Sequence, residues 1–216
     1  MSLTFRQVYQ RLLKQHGGQK WWPGDSPFEI MVGAILTQNT AWTNVERAIA
    51  NLKAEGCLDA GRIVSLDHET LAGLLRPSGY FNIKAKRLRA FCEWFLQQGD
   101  EHRLEQYETE AMRQALLKVH GIGPETADDI VLYAFNRPVF VIDAYTRRIF
   151  SRLGLIDGDE KYETLRMLFQ SKLEADADLY NEYHALIVMH GKAICRTKPD
   201  CDHCRLADQC IYISEC

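Results

Sequence analysis

The sequence predicts an all-α protein. Apolar residues recur at helical spacing over most of its 216 residues, and no segment alternates with a period of two. The one β-rich stretch, PVFVI at 138–142, is too short and isolated to found a sheet.

In chain order, the run from Phe28 to Leu36 is apolar nearly all round, which predicts a central buried helix. Trp42, Val45, Ile49 and Leu52 lie along one helical stripe. Leu88, Phe91, Cys92 and Phe95 follow the i, i+3, i+4, i+7 pattern, and Met112, Ala115, Leu116 and Val119 repeat it. His120-Gly121-Ile122-Gly123-Pro124 then separates that stripe from a second helix expected over about 125–135. Glycines admit backbone torsions that other residues resist, and Pro124 suits a first helical turn. A helix–hairpin–helix over about 111–135 follows, with backbone N–H groups beside a helix N-terminus that can bind a phosphate without a basic side chain. In Val141-Ile142-Asp143-Ala144-Tyr145-Thr146 an aspartate immediately precedes another helical pattern. Such a residue is ordinarily an N-cap, and the same carboxylate can also be functional. The residues alone leave both readings open.

A hydrophobic fraction of 46% and a charged fraction of 25% describe an ordinary globular chain with room for one large domain or two small ones. No run of about 18 apolar residues predicts a membrane span, and MSLTFRQVYQRLLKQH lacks the pattern of a secretory signal. The expected location is cytoplasmic. The net charge of −3 argues mildly against nucleic acid, but the local face matters more than the sum. Lys84, Lys86, Arg87 and Arg89 cluster, as do Arg147 and Arg148; a solvated helix face and a DNA-facing surface are both open for each.

Four of the seven cysteines nest as Cys195-x5-Cys201-x2-Cys204-x5-Cys210. In a reducing compartment this reads as metal ligation. Zinc and a cubane of four irons and four sulfides both accept four thiolates. Only one pair is closely spaced, and that compact nesting favours a loop wrapped around the larger object. Cys57 and Cys92, in apolar surroundings, are expected to be buried structural thiols. Cys216 is terminal.

Taken together these features resemble the helix–hairpin–helix DNA glycosylases of the endonuclease III family, over residues 20 to 212. The matching pieces keep the family's order. FEIMVGAILTQNTAWTNVERAI (28–49) looks like its first core helix and Gln-bearing turn, and SGYFNIKAKRLRAF (78–91) like the junction that follows. LLKVHGIGPETADDIVLYAF (116–135) is similar to the DNA-binding hairpin, VIDAYTRRI (141–149) to the segment with the catalytic aspartate, and HGKAIC with the cysteine loop to the 4Fe–4S module. The resemblance implies two helical domains with a DNA-binding cleft between them. A six-helix barrel would span 27–138, and a discontinuous domain of 1–26 plus 139–216 would hold the cluster loop, 195–210. It implies Asp143 as catalytic residue and Gln38 as the residue filling the gap left by the extruded base. Gly121, Gly123 and Glu125 would form the phosphate-binding hairpin, and Cys195, Cys201, Cys204 and Cys210 would ligate a 4Fe–4S cluster.

Two departures matter. Bifunctional members place a lysine nucleophile at the start of the hairpin's second helix, where this chain has Glu125; the first cysteine gap is also one residue shorter than in the best-known members. Trp21-Trp22-Pro23 and Trp42 beside the Gln38 turn are further similar to the 3-methyladenine glycosylase III branch, where aromatics at these places sandwich the flipped base, although that branch lacks the cysteine loop. Core or interface packing of the three tryptophans is the other reading. The expected function is hydrolytic release of a damaged base, an alkylated purine, from double-stranded DNA by a monomeric, monofunctional enzyme. The alternatives are an endonuclease III-type glycosylase/lyase for oxidised pyrimidines, a non-catalytic damage-binding module and a zinc-stabilised helical protein unrelated to DNA.

Overall fold

The periodic stripes close into helices, most of them started by a side-chain cap. The structure, a computed structural model, describes residues 3–19, 21 and 24–215. Among these, twelve α-helices follow in order: α1 (Phe5–His16), α2 (Pro27–Leu36), α3 (Trp42–Ala54), α4 (Ala60–Ser65), α5 (His68–Leu74), α6 (Phe81–Gln98), α7 (Glu101–Glu105), α8 (Thr109–Leu117), α9 (Pro124–Asp129), α10 (Ala144–Arg152), α11 (Tyr162–Lys172) and α12 (Ala177–Ala193). The chain is all-α, with no strand among the described residues. None of the described helices is long and apolar enough to cross a membrane. The helices fall into two compact units, residues 22–137 and residues 1–21 with 138–216.

In the unit of residues 22–137, α2 is central: it packs on α3, α6 and α9 and buries nearly every side chain. Ser26 caps it by accepting from the Glu29 N–H at 3.2 Å, and Pro27 opens the first turn. Helix α6 buries the expected stripe of Leu88, Phe91, Cys92 and Phe95. It also buries Lys84, which is not on a solvated face as a member of the basic cluster: only 1% of it is exposed. Its ammonium donates to the carbonyls of Leu36 (2.8 Å) and Ser78 (2.6 Å), which compensates part of the cost of burying a charge. Burial, with Arg87 nearby, pushes its pKa down to about 8. Cys92 is buried as expected, whereas Cys57 is only half-buried.

The two hairpin helices, α8 and α9, are joined by a buried ion pair between Arg113 and Asp128. Beyond Asp129 the second hairpin helix continues as a π-helical turn over Ile130–Ala134, a widening that the sequence pattern did not predict. Ile130, Val131, Leu132 and Tyr133 are all buried there, and the turn packs on α2.

In the other unit, α12 packs on α1 and α10. Its core is aromatic. Phe150 stands 5.2 Å from Phe5 and 4.6 Å from Phe169, and Phe140 stands 5.2 Å from Tyr180 and 5.7 Å from Tyr183, measured between ring centroids. The β-rich 138–142 segment runs extended and unpaired through this core. Side chains serve its backbone in place of a sheet: Phe140 N–H donates to Gln170 Oε1 and Ile142 N–H to the Tyr162 hydroxyl, both at 3.3 Å. It thereby delivers Asp143 to the start of α10.

Phe150→Ala should therefore destabilise the protein by about 3–5 kcal/mol, the range for removing a fully buried aromatic ring. Urea unfolding would read this as a lower midpoint. A loss below about 1 kcal/mol would show that the aromatic cluster does not hold these helices.

Candidate active site

Asp143 precedes α10 with extended backbone and caps it. Its Oδ1 accepts from the Thr146 N–H at 2.7 Å and from the Thr146 hydroxyl at 2.8 Å. Its Oδ2 faces His184 Nε2 of α12 at 3.6 Å, a charge contact just beyond ordinary hydrogen-bond length. Only 9% of the residue is exposed. Burial pushes its pKa up, but the facing His184 imidazole and the two Thr146 bonds outweigh burial and hold the carboxyl below its ordinary value. One carboxylate oxygen thus caps the helix, and the other faces His184. Trp21 stacks on the His184 ring, with centroids 6.3 Å apart and planes at 19°. Trp22 lies outside the described residues.

In the other unit the hairpin turns at Gly121, whose φ of +87° is left-handed backbone that favours glycine. A Cβ there would also stand 2.2 Å from the Arg87 side chain. Gly123 differs: its φ is −91° and a Cβ would meet nothing within 4 Å. It is the exposed N-cap of α9, and no side chain caps that helix. Glu125 stands exposed in the first turn.

Gln38 is not left free to wedge into a duplex. Its Nε2 donates to the Gly121 carbonyl (3.1 Å) and to Thr126 Oγ1 (3.0 Å), and its Oε1 accepts from Arg87. The turn after α2 is thereby tied to the hairpin. Trp42, half-buried at the start of α3, lies against Gly33, where an added Cβ would come within 3.1 Å of the indole. Trp42 also lines a cavity of about 530 Å³ with Asp25, Glu29, Glu46 and Lys53. Lys53 bridges Asp25 and Glu29, at 2.8 Å to each.

Cys195, Cys201, Cys204 and Cys210 all line one cavity of about 20 Å³ after α12. Cys195 Sγ accepts from Arg152 Nη1 at 3.3 Å, and Cys204 Sγ lies 3.5 Å from His190 Nε2. Burial raises the thiol pKa of Cys204 and of Cys210. Cys201 is disulfide-bonded. Among the described residues no three potential ligands are grouped to hold a single metal ion. The donor chemistry fits an iron–sulfur cluster, which is larger than one ion and is held by cysteine thiolates, provided that Cys201 is reduced.

Residues 32–175 match the family of HhH-GPD superfamily base excision DNA repair proteins. A protein of Methanocaldococcus jannaschii, named only provisionally as a DNA repair glycosylase, is 45% identical over 94% of each chain. The chain belongs to the HhH-GPD superfamily. It is a base excision DNA glycosylase by family, and therefore an enzyme. Endonuclease III of Sulfolobus acidocaldarius is 30% identical over 86% of this chain and 82% of its own. Among solved structures, the 3-methyladenine DNA glycosylase of H. pylori bound to 1,N6-ethenoadenine superposes with a TM-score of 0.73 at 32% identity, covering 86% of this chain and 93% of that one. A non-covalent endonuclease III–DNA complex gives a TM-score of 0.83 over 97% of this chain and 95% of its own; at 19% identity it speaks to the fold.

Around the residues read from the sequence, the HhH-GPD fold assembles several that were not. His184 sits in the apolar run YHALIVM, so sequence reads it as core. Thr126 and Arg87 belong to the Gln38 network, and neither carried a local signal for that role. Tyr80 is 68% exposed with a φ of +47°, at the start of α6. Such strain in a non-glycine residue costs about 1–3 kcal/mol and tends to be kept at functional sites.

The two hairpin glycines should separate in a mutational test. Gly123→Ala should fold with unchanged thermal stability and weaken binding to duplexes of any sequence, because only an approaching phosphate would meet the new methyl group. Gly121→Ala should lower the melting temperature, since it meets both strained backbone and Arg87. Equal melting losses for both would contradict this assignment.

Proposed function

We propose that the protein hydrolyses the N-glycosidic bond of an alkylated purine flipped out of double-stranded DNA, and leaves the abasic strand intact. The observation that carries this reading is Glu125, the residue at the start of α9 where bifunctional relatives place a lysine. A lyase needs an amine to form a Schiff base with the sugar, and a carboxylate cannot form an imine. Among the described residues Lys84 is an amine with a depressed pKa, but its ammonium is committed to two buried carbonyls. Lys118 and Lys192 are exposed.

A glycosylase takes its base out of the stack before acting on it. The hairpin N–H groups around Gly121 and Gly123 would hold a backbone phosphate, with Glu125 beside them in the first turn of α9. Gln38 would leave its hairpin bonds to fill the vacated stack. Asp143 Oδ2 would stabilise the oxocarbenium-like sugar and orient the attacking water, as carboxylates do in glycoside hydrolysis. An alkylated purine carries positive charge and departs readily. Trp42 suits it, because an aromatic face attracts a cation by roughly 0.5–2 kcal/mol. Glu46 lines the same cavity, whose other two carboxylates, Asp25 and Glu29, are paired with Lys53. Trp21 and Trp22 complete the proposed set of base-contacting aromatics. The likeness to a 3-methyladenine glycosylase supports the substrate class. The Sulfolobus relative favours oxidised pyrimidines as the second reading.

Cys195, Cys201, Cys204 and Cys210 would hold a 4Fe–4S cluster as thiolates, once exchange with a small-molecule thiol, itself oxidised to a disulfide, frees Cys201. The cluster would supply structural organisation to the loop of residues 195–210. The compact nesting of the four cysteines in the chain supports this.

Two outcomes test these readings. On single-lesion duplexes the enzyme should release 3-methyladenine, strand breaks should appear only after alkali, and borohydride should trap no covalent adduct on an abasic duplex. A trapped adduct abolished by one lysine substitution, or release of thymine glycol without methylated purines, would contradict the proposal. Anaerobically purified protein should be brown with about four irons per chain. Stoichiometric zinc in a colourless, active preparation would contradict the cluster.

A further inference from the structure

Base release needs the Asp143 carboxylate ionised and aimed, yet the residue is buried, where desolvation works against its charge. Thr146 accounts for Oδ1 alone. We propose that His184 is a positioning residue for the reaction: its Nε2, 3.6 Å from Oδ2, fixes the reactive oxygen of Asp143, while Trp21 stacks on the imidazole and fixes His184. This rests on the reading of Asp143 as the catalytic carboxylate.

Three features set His184 apart from an ordinary core histidine. It stands on α12, which packs directly on α10, and only 5% of it is exposed. The ring nitrogen that faces Oδ2 is a buried atom. The charged neighbours on α10 are directed elsewhere: Arg147 donates to the carbonyls of Gly158 and Glu160, and Arg148 to those of Cys195 and Gly191. From the start of α11 the Tyr162 hydroxyl accepts from the Ile142 N–H. Among these described residues, His184 is thus the titratable group directed at Oδ2.

The stack assigns Trp21 a task other than core filling. A near-parallel ring at this distance restricts rotation of the histidine side chain. The consequence reaches the reaction through pH. The carboxylate must be charged to work, so base release falls as pH drops through the pKa of Asp143. With His184 present that acid limb lies below the ordinary carboxylate range. Without the imidazole, burial is opposed by Thr146 alone, and the limb moves to higher pH.

The test is the single-turnover rate of base release from duplex DNA methylated with dimethyl sulfate, followed against pH. His184→Leu should shift the acid limb upward and slow release about 10- to 100-fold at its optimum, the scale of a misplaced catalytic group. Duplex affinity should not change. His184→Gln, whose amide N–H reaches the Nε2 position, should keep the limb close to wild type; His184→Asn, too short to reach Oδ2, should behave like His184→Leu and serves if the leucine variant does not fold. An Asp143→Asn enzyme that still releases bases would overturn the catalytic reading itself. An inert Asp143→Asn enzyme beside a His184→Leu or His184→Asn enzyme with an unshifted limb would overturn this inference and leave that reading intact.

Discussion

A single buried carboxylate sets the terms for half of this protein. Asp143 stands with extended backbone, starts a helix and is largely buried, so its charge depends on the groups around it. Thr146 supplies two donors from the next turn of α10, and His184 supplies the facing ring from α12. Neither group can hold its place unless α10 and α12 are fixed against each other. The aromatic core of Phe5, Phe140, Phe150, Phe169 and Tyr183 does this, with the Tyr183 hydroxyl donating to the Phe5 carbonyl at 2.7 Å. The packing that stabilises the unit is therefore the packing that keeps the carboxylate charged.

The second unit solves a different problem, that of holding a backbone turn in shape. Arg113 and Asp128 clamp the two hairpin helices from within. Gln38 and Arg87 brace the turn from the side, through the Gly121 carbonyl and Thr126. These contacts engage the Gly121 carbonyl and side chains, so the turn is held from one flank. Lys84 belongs to the same scaffold. By binding the carbonyls of Leu36 and Ser78 it joins the end of α2 to the turn before α6.

What depended on local pattern was legible in the sequence. The helical stripes, the glycine-bounded hairpin and the aspartate before α10 each rest on residues close in the chain. What depended on tertiary partners was not. His184 reads as core because its neighbours on α12 are apolar, and only the fold shows that its ring faces Asp143. Lys84 was misread although the signal was present: it lies four residues before Leu88, on the buried stripe of α6, where a solvated lysine does not belong. Trp21 was read as a base-contacting aromatic; its stacking on His184 arises from packing between distant segments. The π-helical turn has no counterpart in apolar spacing, which treats every helix as having 3.6 residues per turn.

The account stands most directly on the charge state of one side chain. A residue-resolved carbon-13 titration of the Asp143 carboxyl in the free, folded protein would read it without any substrate. The account predicts that the group stays ionised down through the ordinary carboxylate range, near pH 3.9, and protonates only below it. Protonation above that range would mean that burial prevails over Thr146 and His184, and would contradict the account.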